Sequence, residues 1–395
     1  MTLLTIDITY LTKTLEKLLK IPSPTGYTDE IVRHVSKELE KLGVFYEITR
    51  RGAVRAKLPG KKRKPARAFV SHVDTLGAQV KALKDNGRLE LVPIGHWSAR
   101  FAEGARTTIF SENGAYTGTI LPLKASGHTF NEGVDEMPVG WEHVELRVDA
   151  YSKAPDDLQR LGIDIGDFVS IDPAPEFLEN GFIVSRHLDN KAGVAVMLAA
   201  LKAMLESGEV PPVDIFWLFT IAEETGHGAQ SILTPEIASL VAIDNGTSAP
   251  GQNSDEFGVT IAMADQTGPF DYHLTRKMVR LCRDNYIKYQ KDIFRYYRSD
   301  AATAIEAGAD VRTALITFGV DASHGYERIH MHALRSLAEL ATGYIMSPVE
   351  ILRDAREFAD LKGFTRQPHA DADQELTPET DEPEPEPEPG NAEVS

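Results

Sequence analysis

Five short polar clusters stand at the ends of apolar, β-prone runs, and their residue types suit acid–base or metal chemistry. Ser71-His72-Val73-Asp74 closes the run AFV. Residues i and i+2 of a strand share a face, so His72 and Asp74 lie on one side. His187-Leu188-Asp189-Asn190 precedes a long apolar helical pattern. Glu223-Glu224 follows IFWLFTIA, Asp244 ends LVAI, and Ser323-His324-Gly325-Tyr326-Glu327 follows TALITFGV. In an open parallel sheet, ligands bind beyond the carboxyl ends of the strands, which makes polar residues there the ones to weigh.

His72, Asp189, Glu224, Asp244 and His324 form a set of two imidazoles and three carboxylates. Such a set suits two zinc-like ions held by nitrogen and oxygen, with room for water. A carboxylate such as Asp189 can bridge two ions about 3.5–4 Å apart, and Asp74 can fix the orientation of a ligand. Adjacent acids at the buried end of a strand are costly without positive charge nearby. Glu223 and Glu224 can therefore divide the work, one binding metal and the other taking a proton from the metal-activated water. Each cluster also has an ordinary structural alternative. His72 and Asp74 could be a polar strand end, Asp189 a helix N-cap and Glu223-Glu224 a solvated loop. Asp244-Asn245-Gly246 could be an Asx turn, and His324, His330 and His332 surface histidines, the last two on the next helix. The combination, not any one member, points to metal chemistry.

Hydrophobic spacing indicates the elements that must position these clusters. Leu11, Leu15, Leu18 and Leu19 mark one helical face; Ile31, Val32, Val35, Leu39 and Leu42 mark a second helix, with Thr28 as N-cap and Gly43 as stop. Residues 44–58 read as two strands around Arg51-Gly52. From 82 to 177 short β-type runs are broken by Gly, Pro and Asn, with one helical piece at 155–161, as in a small β-barrel or sandwich. After Phe182 the pattern alternates: a helix in NKAGVAVMLAALKAMLE, a strand in DIFWLFTIA, a short strand in LVAIDNG, a helix over 268–285, then two further strand–helix units to about 359. The expected architecture is α/β, a mainly parallel sheet sandwiched by helices, with an inserted small β-barrel. The expected domains are the first part of a catalytic α/β domain at 1–81, the insert at 82–177, and the second catalytic part at 178–365. A disordered acidic tail is expected at 366–395, because EPEPEPEPG alternates like charge with proline.

Composition narrows the partners. The 395 residues carry 42 Lys and Arg against 59 Asp and Glu, a net charge of −17. Ten of those acids, and no base, lie from residue 371 onward, leaving −7 on the rest. So mildly acidic a body argues against nucleic acid. A lone cysteine, Cys282, excludes a disulfide framework and a Cys-rich zinc module. The N-terminal run meets charge before an apolar segment forms, so no secretory signal is expected. The longest strongly apolar stretch, 192–201, is too short to span a bilayer. A soluble, cytoplasmic protein with no membrane partner is expected.

The order His-x-Asp, Asp-Asn about 115 residues later, Glu-Glu, Asp and a final His resembles the co-catalytic metallopeptidases. The β-rich insert between the first two motifs and the opening IPSPTGYTDEI are similar to metallopeptidase family 42, the glutamyl and deblocking aminopeptidases that include the tetrahedral particles. The resemblance covers residues 8–360. It implies two divalent ions per subunit, zinc first, with cobalt or manganese as alternatives. His72 and Asp244 would complete one ion site, Glu224 and His324 the other, and Asp189 would bridge them. Glu223 would be the general base and Asp74 a supporting carboxylate. Ser299-Asp300-Ala301 resembles the family's Thr-Asp-Ala segment near the site.

The implied activity is hydrolysis of N-terminal residues from peptides. The alternative keeps the ions but acts as an amidohydrolase or deacylase on a small acylated dipeptide. The chain is similar to a subgroup found with enzymes making N-acetylglutaminylglutamine amide, an osmoprotectant. A scaffold without turnover would have no need of Glu223. Glycoside hydrolysis would need two acids facing each other across about 5–9.5 Å, for which sequence neighbours are poorly suited. Two departures from the family pattern, Thr75 after Asp74 and Gly325-Tyr326-Glu327-Arg328 after His324, bear on specificity. The family also implies a homo-oligomer, from dimer to dodecamer, with part of Trp97, Phe101, Phe110, Tyr116 and Trp141 at the interface.

Overall fold

The computed structural model describes residues 3–368. The tail expected over 366–395 lies outside the described residues except for its first three. The centre of the molecule is a twelve-stranded sheet. Its middle strands run in the order Val213–Thr220, Lys62–His72, Ile237–Ser248, Arg312–Asp321, all mutually parallel. Val213–Thr220 is buried at every residue, as a strand covered on both faces must be. Side-chain alternation divides the strands between two cores. Phe69, Trp217 and Phe219 face one layer of helices, and Val70, Phe216 and Leu218 the other.

The sheet is mixed, because its flanks are antiparallel. Val54–Leu58 runs against Val213–Thr220, and Val259–Asp265 against Arg312–Asp321. At one edge Tyr46–Ile48 and Val54–Leu58 are joined through the turn at Arg51-Gly52, a connection too short for the crossover that parallel pairing demands.

The helix Leu188–Ser207 is buried at every residue from 188 to 201, which its all-round apolar sequence requires. It packs between Ile8–Leu19 and Met331–Met346. Ile8–Leu19 buries Leu11, Leu15, Leu18 and Leu19 on the expected face. Thr28 precedes Asp29–Lys41 as N-cap, but its side chain makes no capping bond.

Three local expectations are corrected. The strand through LVAIDNG is long, Ile237–Ser248, because it pairs with Arg312–Asp321 along most of its length. The helix expected from 268 begins at Tyr272. Gly268 and Pro269 instead pair with the strand Val259–Asp265, and the Asp271 carboxylate caps the helix by accepting from the Leu274 N–H at 2.8 Å. His330 is not in the following helix; it closes the strand Glu327–His330 and caps Met331–Met346 through its ring.

Six antiparallel strands, Gly77–Leu83, Leu89–Ile94, Arg106–Ser111, Gly114–Pro122, Val144–Val148 and Phe168–Ile171, close into a barrel with its own core. The first begins five residues after His72, so the barrel is tied to the carboxyl end of a central strand; the boundary drawn at 82 falls inside it. Most of the barrel aromatics are used within the chain. Trp97 is buried and meets Trp141 edge-on at 4.8 Å. Phe110 stacks on Tyr27 at 4.4 Å. Phe101, 41 % exposed, is the most open of the five. Among the described residues, no helix is long and apolar enough to cross a membrane.

Candidate metal centre

The parallel strands deliver the first two side chains. His72 ends its strand in register with Thr220, and Val70 pairs with Ala242 on the other side. Two residues further along, His72 and Asp244 stand side by side, with Nε2 and Oδ1 3.8 Å apart. Asp189 comes from the irregular start of Leu188–Ser207, where residues 189 and 190 are non-helical and their peptide bond is cis. Its carboxylate caps no helix. Oδ1 lies 3.2 Å from Nε2 of His72, and Oδ2 lies 3.3 Å from Nε2 of His324. Oδ2 also accepts from the Asn245 amide at 2.5 Å.

Glu223 and Glu224 occupy one short 3₁₀ turn, Glu223–Thr225, beyond Val213–Thr220. Glu223 Oε2 is 3.7 Å from Nε2 of His72, and Glu224 Oε2 is 4.0 Å from Nε2 of His324. Donor atoms of His72, Asp189 and Glu224 all lie within 4.8 Å of one another. The two imidazoles are oriented alike. Nδ1 of His72 sits 3.0 Å from the Asp74 carbonyl, and Nδ1 of His324 sits 2.9 Å from the His96 carbonyl in the barrel. An Nδ1–H donated to a carbonyl leaves the Nε2 lone pair facing the centre.

Of the supporting residues, sequence reasoning placed Asp300 near the site through its resemblance to the family's Thr-Asp-Ala segment and gave no role to Glu327, Thr25 or Asn245. Glu327 accepts the backbone N–H of His324 at 3.0 Å and of Asp189 at 3.1 Å, so one buried carboxylate holds both segments. Thr25, inside IPSPTGYTDEI, donates to Asp74 at 2.6 Å. Asn245 was legible only as a turn residue. Asp300 accepts from Thr220 at 2.6 Å. A Cβ on Gly228 would fall 1.5 Å from Asp300 Oδ1, so any side chain there would displace the Asp300 carboxylate. His330 lies apart, against Phe182 and Phe257, with His332 against its ring.

The electrostatics test whether the set suits cations. Burial, then the neighbouring Asp189, pushes the carboxyls of Glu224, Asp244 and Glu327 each up to about 8. Burial raises Glu223 well above its ordinary value; His72 opposes this, while Asp244, Asp300 and Glu224 add to it. Asp189 is the exception: burial works against its charge, but His324 and His72 hold it below the ordinary range. Burial also opposes charge on His324, yet Asp189 and Glu224 bring it up to about 10. The chain thus gathers more buried acid than its two imidazoles neutralise, an imbalance that divalent cations relieve. Glu224 Oε1 is buried with no hydrogen-bond partner among the described residues. The two-nitrogen, three-carboxylate donor set fits a pair of zinc-like ions.

Acids and imidazoles are gathered at the carboxyl ends of parallel strands, beside a closed barrel, an arrangement suited to holding metal. The sequence model of the M42 glutamyl aminopeptidase family matches residues 52–340, and the chain belongs to that family. YhfE of Bacillus subtilis (strain 168), which carries a provisional aminopeptidase name, is 38% identical over 346 residues, covering 87% of this chain and all of the relative. The fold is that of the TET aminopeptidase from the marine sediment archaeon Thaumarchaeota archaeon SCGC AB-539-E09, with a TM-score of 0.79 at 16% identity over 88% of this chain and 98% of that one. It is also that of the Pyrococcus horikoshii TET1 peptidase, described as assembling into a tetrahedron or a large octahedral shell. That match has a TM-score of 0.76 at 20% identity, over 86% of this chain and 100% of that one. The chain is a metal-dependent aminopeptidase, a hydrolase of peptide bonds.

Proposed function

We propose that this aminopeptidase works with two divalent ions, zinc first and cobalt or manganese as alternatives. His72 and Asp244 would hold one, Glu224 and His324 the other, and Asp189 both. The observation that carries this reading is the Asp189 carboxylate, with one oxygen 3.2 Å from His72 and the other 3.3 Å from His324. When bound, such a pair supplies Lewis-acid polarisation of the scissile carbonyl and a water acidified toward neutral pH.

The remaining chemistry falls to the chain. Glu223 is the general base: it takes the proton of the attacking water and returns it to the departing amine. Its backbone N–H is held by Asp74, which keeps the turn in place. The substrate's free amino group is received by the acid-rich centre, which favours cleavage at the N-terminal bond.

The proposal extends to setting and assembly. A free, buried Cys282 suits a reducing, cytoplasmic compartment. By analogy with the archaeal TET1 peptidase, the chain is proposed to form a homo-oligomer, from dimer to dodecamer. In this reading the insert at 82–177 supplies contacts and the catalytic domain is split around it.

The test is turnover of a peptide library, with N-acetyl dipeptides alongside, before and after EDTA. Loss with EDTA and recovery on adding zinc, cobalt or manganese is expected, with free-amino peptides preferred. Full activity after rigorous metal removal would refute the reading. Cleavage confined to the N-acetyl dipeptides would favour the deacylase alternative.

A further inference from the structure

A small cavity beside the acidic centre is lined by Leu76, Trp97, Arg186, Asp189, His324 and Glu327, among others. Arg186 stands three residues before Asp189, and its main chain is fixed. Its N–H donates to the Pro173 carbonyl at 2.9 Å, and its carbonyl accepts from the Ser185 hydroxyl at 2.7 Å. Its guanidinium is not so employed: among the described residues it makes no hydrogen bond and no ion pair. It lies half-buried, 5.9 Å from the ring centre of Tyr326, whose hydroxyl is anchored on the Ala174 carbonyl at 2.7 Å.

Two roles internal to the fold are poorly served by this placement. A structural arginine would spend its donors on carbonyls, as Arg67 does on the carbonyls of Tyr344, Ile345 and Pro348. Arg186 feels the charge of Glu327, but the two form no hydrogen bond or ion pair among the described residues, and that carboxylate is held instead by the backbone N–H groups of Asp189 and His324. What remains is a planar, permanently charged donor fork, partly desolvated and set in the wall of the site. Carboxylates match that fork two oxygens at a time.

We infer that Arg186 is a specificity residue that receives a carboxylate of the substrate. Two sources share that chemistry: an acidic side chain on the N-terminal residue, or the terminal carboxylate of a very short peptide. The inference rests on the aminopeptidase reading of the neighbouring centre.

The experiment compares the metal-loaded wild type with Arg186→Gln and Arg186→Lys. Glutamyl and glutaminyl anilides form one pair of substrates, and Leu-Leu and its C-terminal amide form the other. Replacing a charge-assisted contact should cut the kcat/KM ratio within one pair roughly 10–100-fold. The loss should fall mainly on KM, with Lys restoring part of it. A collapse of the first ratio assigns the side-chain carboxylate; a collapse of the second assigns the terminus. Unchanged ratios, or an equal fall on all four substrates, would overturn the inference, since a purely structural role acts on all alike. If the wild type cleaves neither these nor any peptide of the library, the aminopeptidase reading fails. Calorimetric titration with L-glutamate and L-glutamine then decides Arg186 separately. A preference for glutamate that is lost in Arg186→Gln supports it, and identical binding by both proteins refutes it.

Discussion

Asp74 accepts the backbone N–H of Glu223 at 3.2 Å, although 149 residues separate them in the chain. Its other oxygen takes the N–H of Glu224 at 3.3 Å and the Thr25 hydroxyl at 2.6 Å. One buried carboxylate therefore holds the turn from which both glutamates project. It also lies 3.5 Å from Nδ1 of His72, so strand end and turn are locked to each other. Asn at position 74 offers a single acceptor and turns an amide donor toward N–H groups. Asp74→Asn should lower turnover ~10–100-fold, the range for residues that orient metal ligands, while circular dichroism stays unchanged. Wild-type rates in this variant would remove the clamp from the account.

Glu223→Gln separates proton transfer from metal binding. Turnover should fall by ~10²–10⁴-fold or more, while atomic emission still finds about two ions per chain, the dinuclear expectation. Should metal content drop as far as activity, the roles of Glu223 and Glu224 are interchanged.

Glu145 gives a pH-dependent prediction far from the site. Its carboxylate, 4 % exposed, meets Lys84, Asn86 and Arg88 on the barrel face opposite the core residues Val144 and Leu146. Burial pushes its pKa up, but these partners more than offset that and hold it below the ordinary 4.5. A depressed folded value contributes stability above the unfolded value and loses it as pH falls. Glu145→Gln should therefore cost roughly 1.5–3 kcal/mol at pH 7. Urea titrations should show that gap closing as the pH is lowered below 4.5. A gap independent of pH would show that the charge contributes nothing.

Deleting residues 370–395 should leave melting temperature and turnover unchanged. That segment offers little to bury: Leu376, Val394 and three alanines are its apolar content. A large fall in melting temperature would show that it docks on the body.

Assembly is decided by light scattering on the purified protein. A homo-oligomer is expected, and a mass near 43.5 kDa at micromolar concentration would refute it. A dimer would keep an interface but remove any particle that filters substrates by size.

The sequence alone determined a great deal, because the strands that carry the centre contain continuous apolar runs that mark buried strands locally. Each run ends in polar residues, so His72, Glu223, Glu224, Asp244 and His324 stood out as candidates, each with an ordinary structural alternative beside it. The amphipathic face of Ile8–Leu19 and the β-rich insert were legible for the same local reason.

Tertiary structure decided what depends on distance through space. Asp189 reads equally well as a helix cap until the chain brings it between His72 and His324. Glu327 and Thr25 acquire roles only through contacts made across 138 and 49 residues. His96 is unremarkable in sequence, yet its carbonyl orients His324 from 228 residues away. Edge-strand direction follows turn length, which apolar patterning does not encode. The aromatics of the insert looked free for an interface, yet Trp97 and Phe110 pack against Trp141 and Tyr27. Arg186 shows the same limit from the other side. In sequence it is one charged residue among many, and only the fold places it, its donors unused among the described residues, in the lining of the cavity beside Asp189 and Glu327.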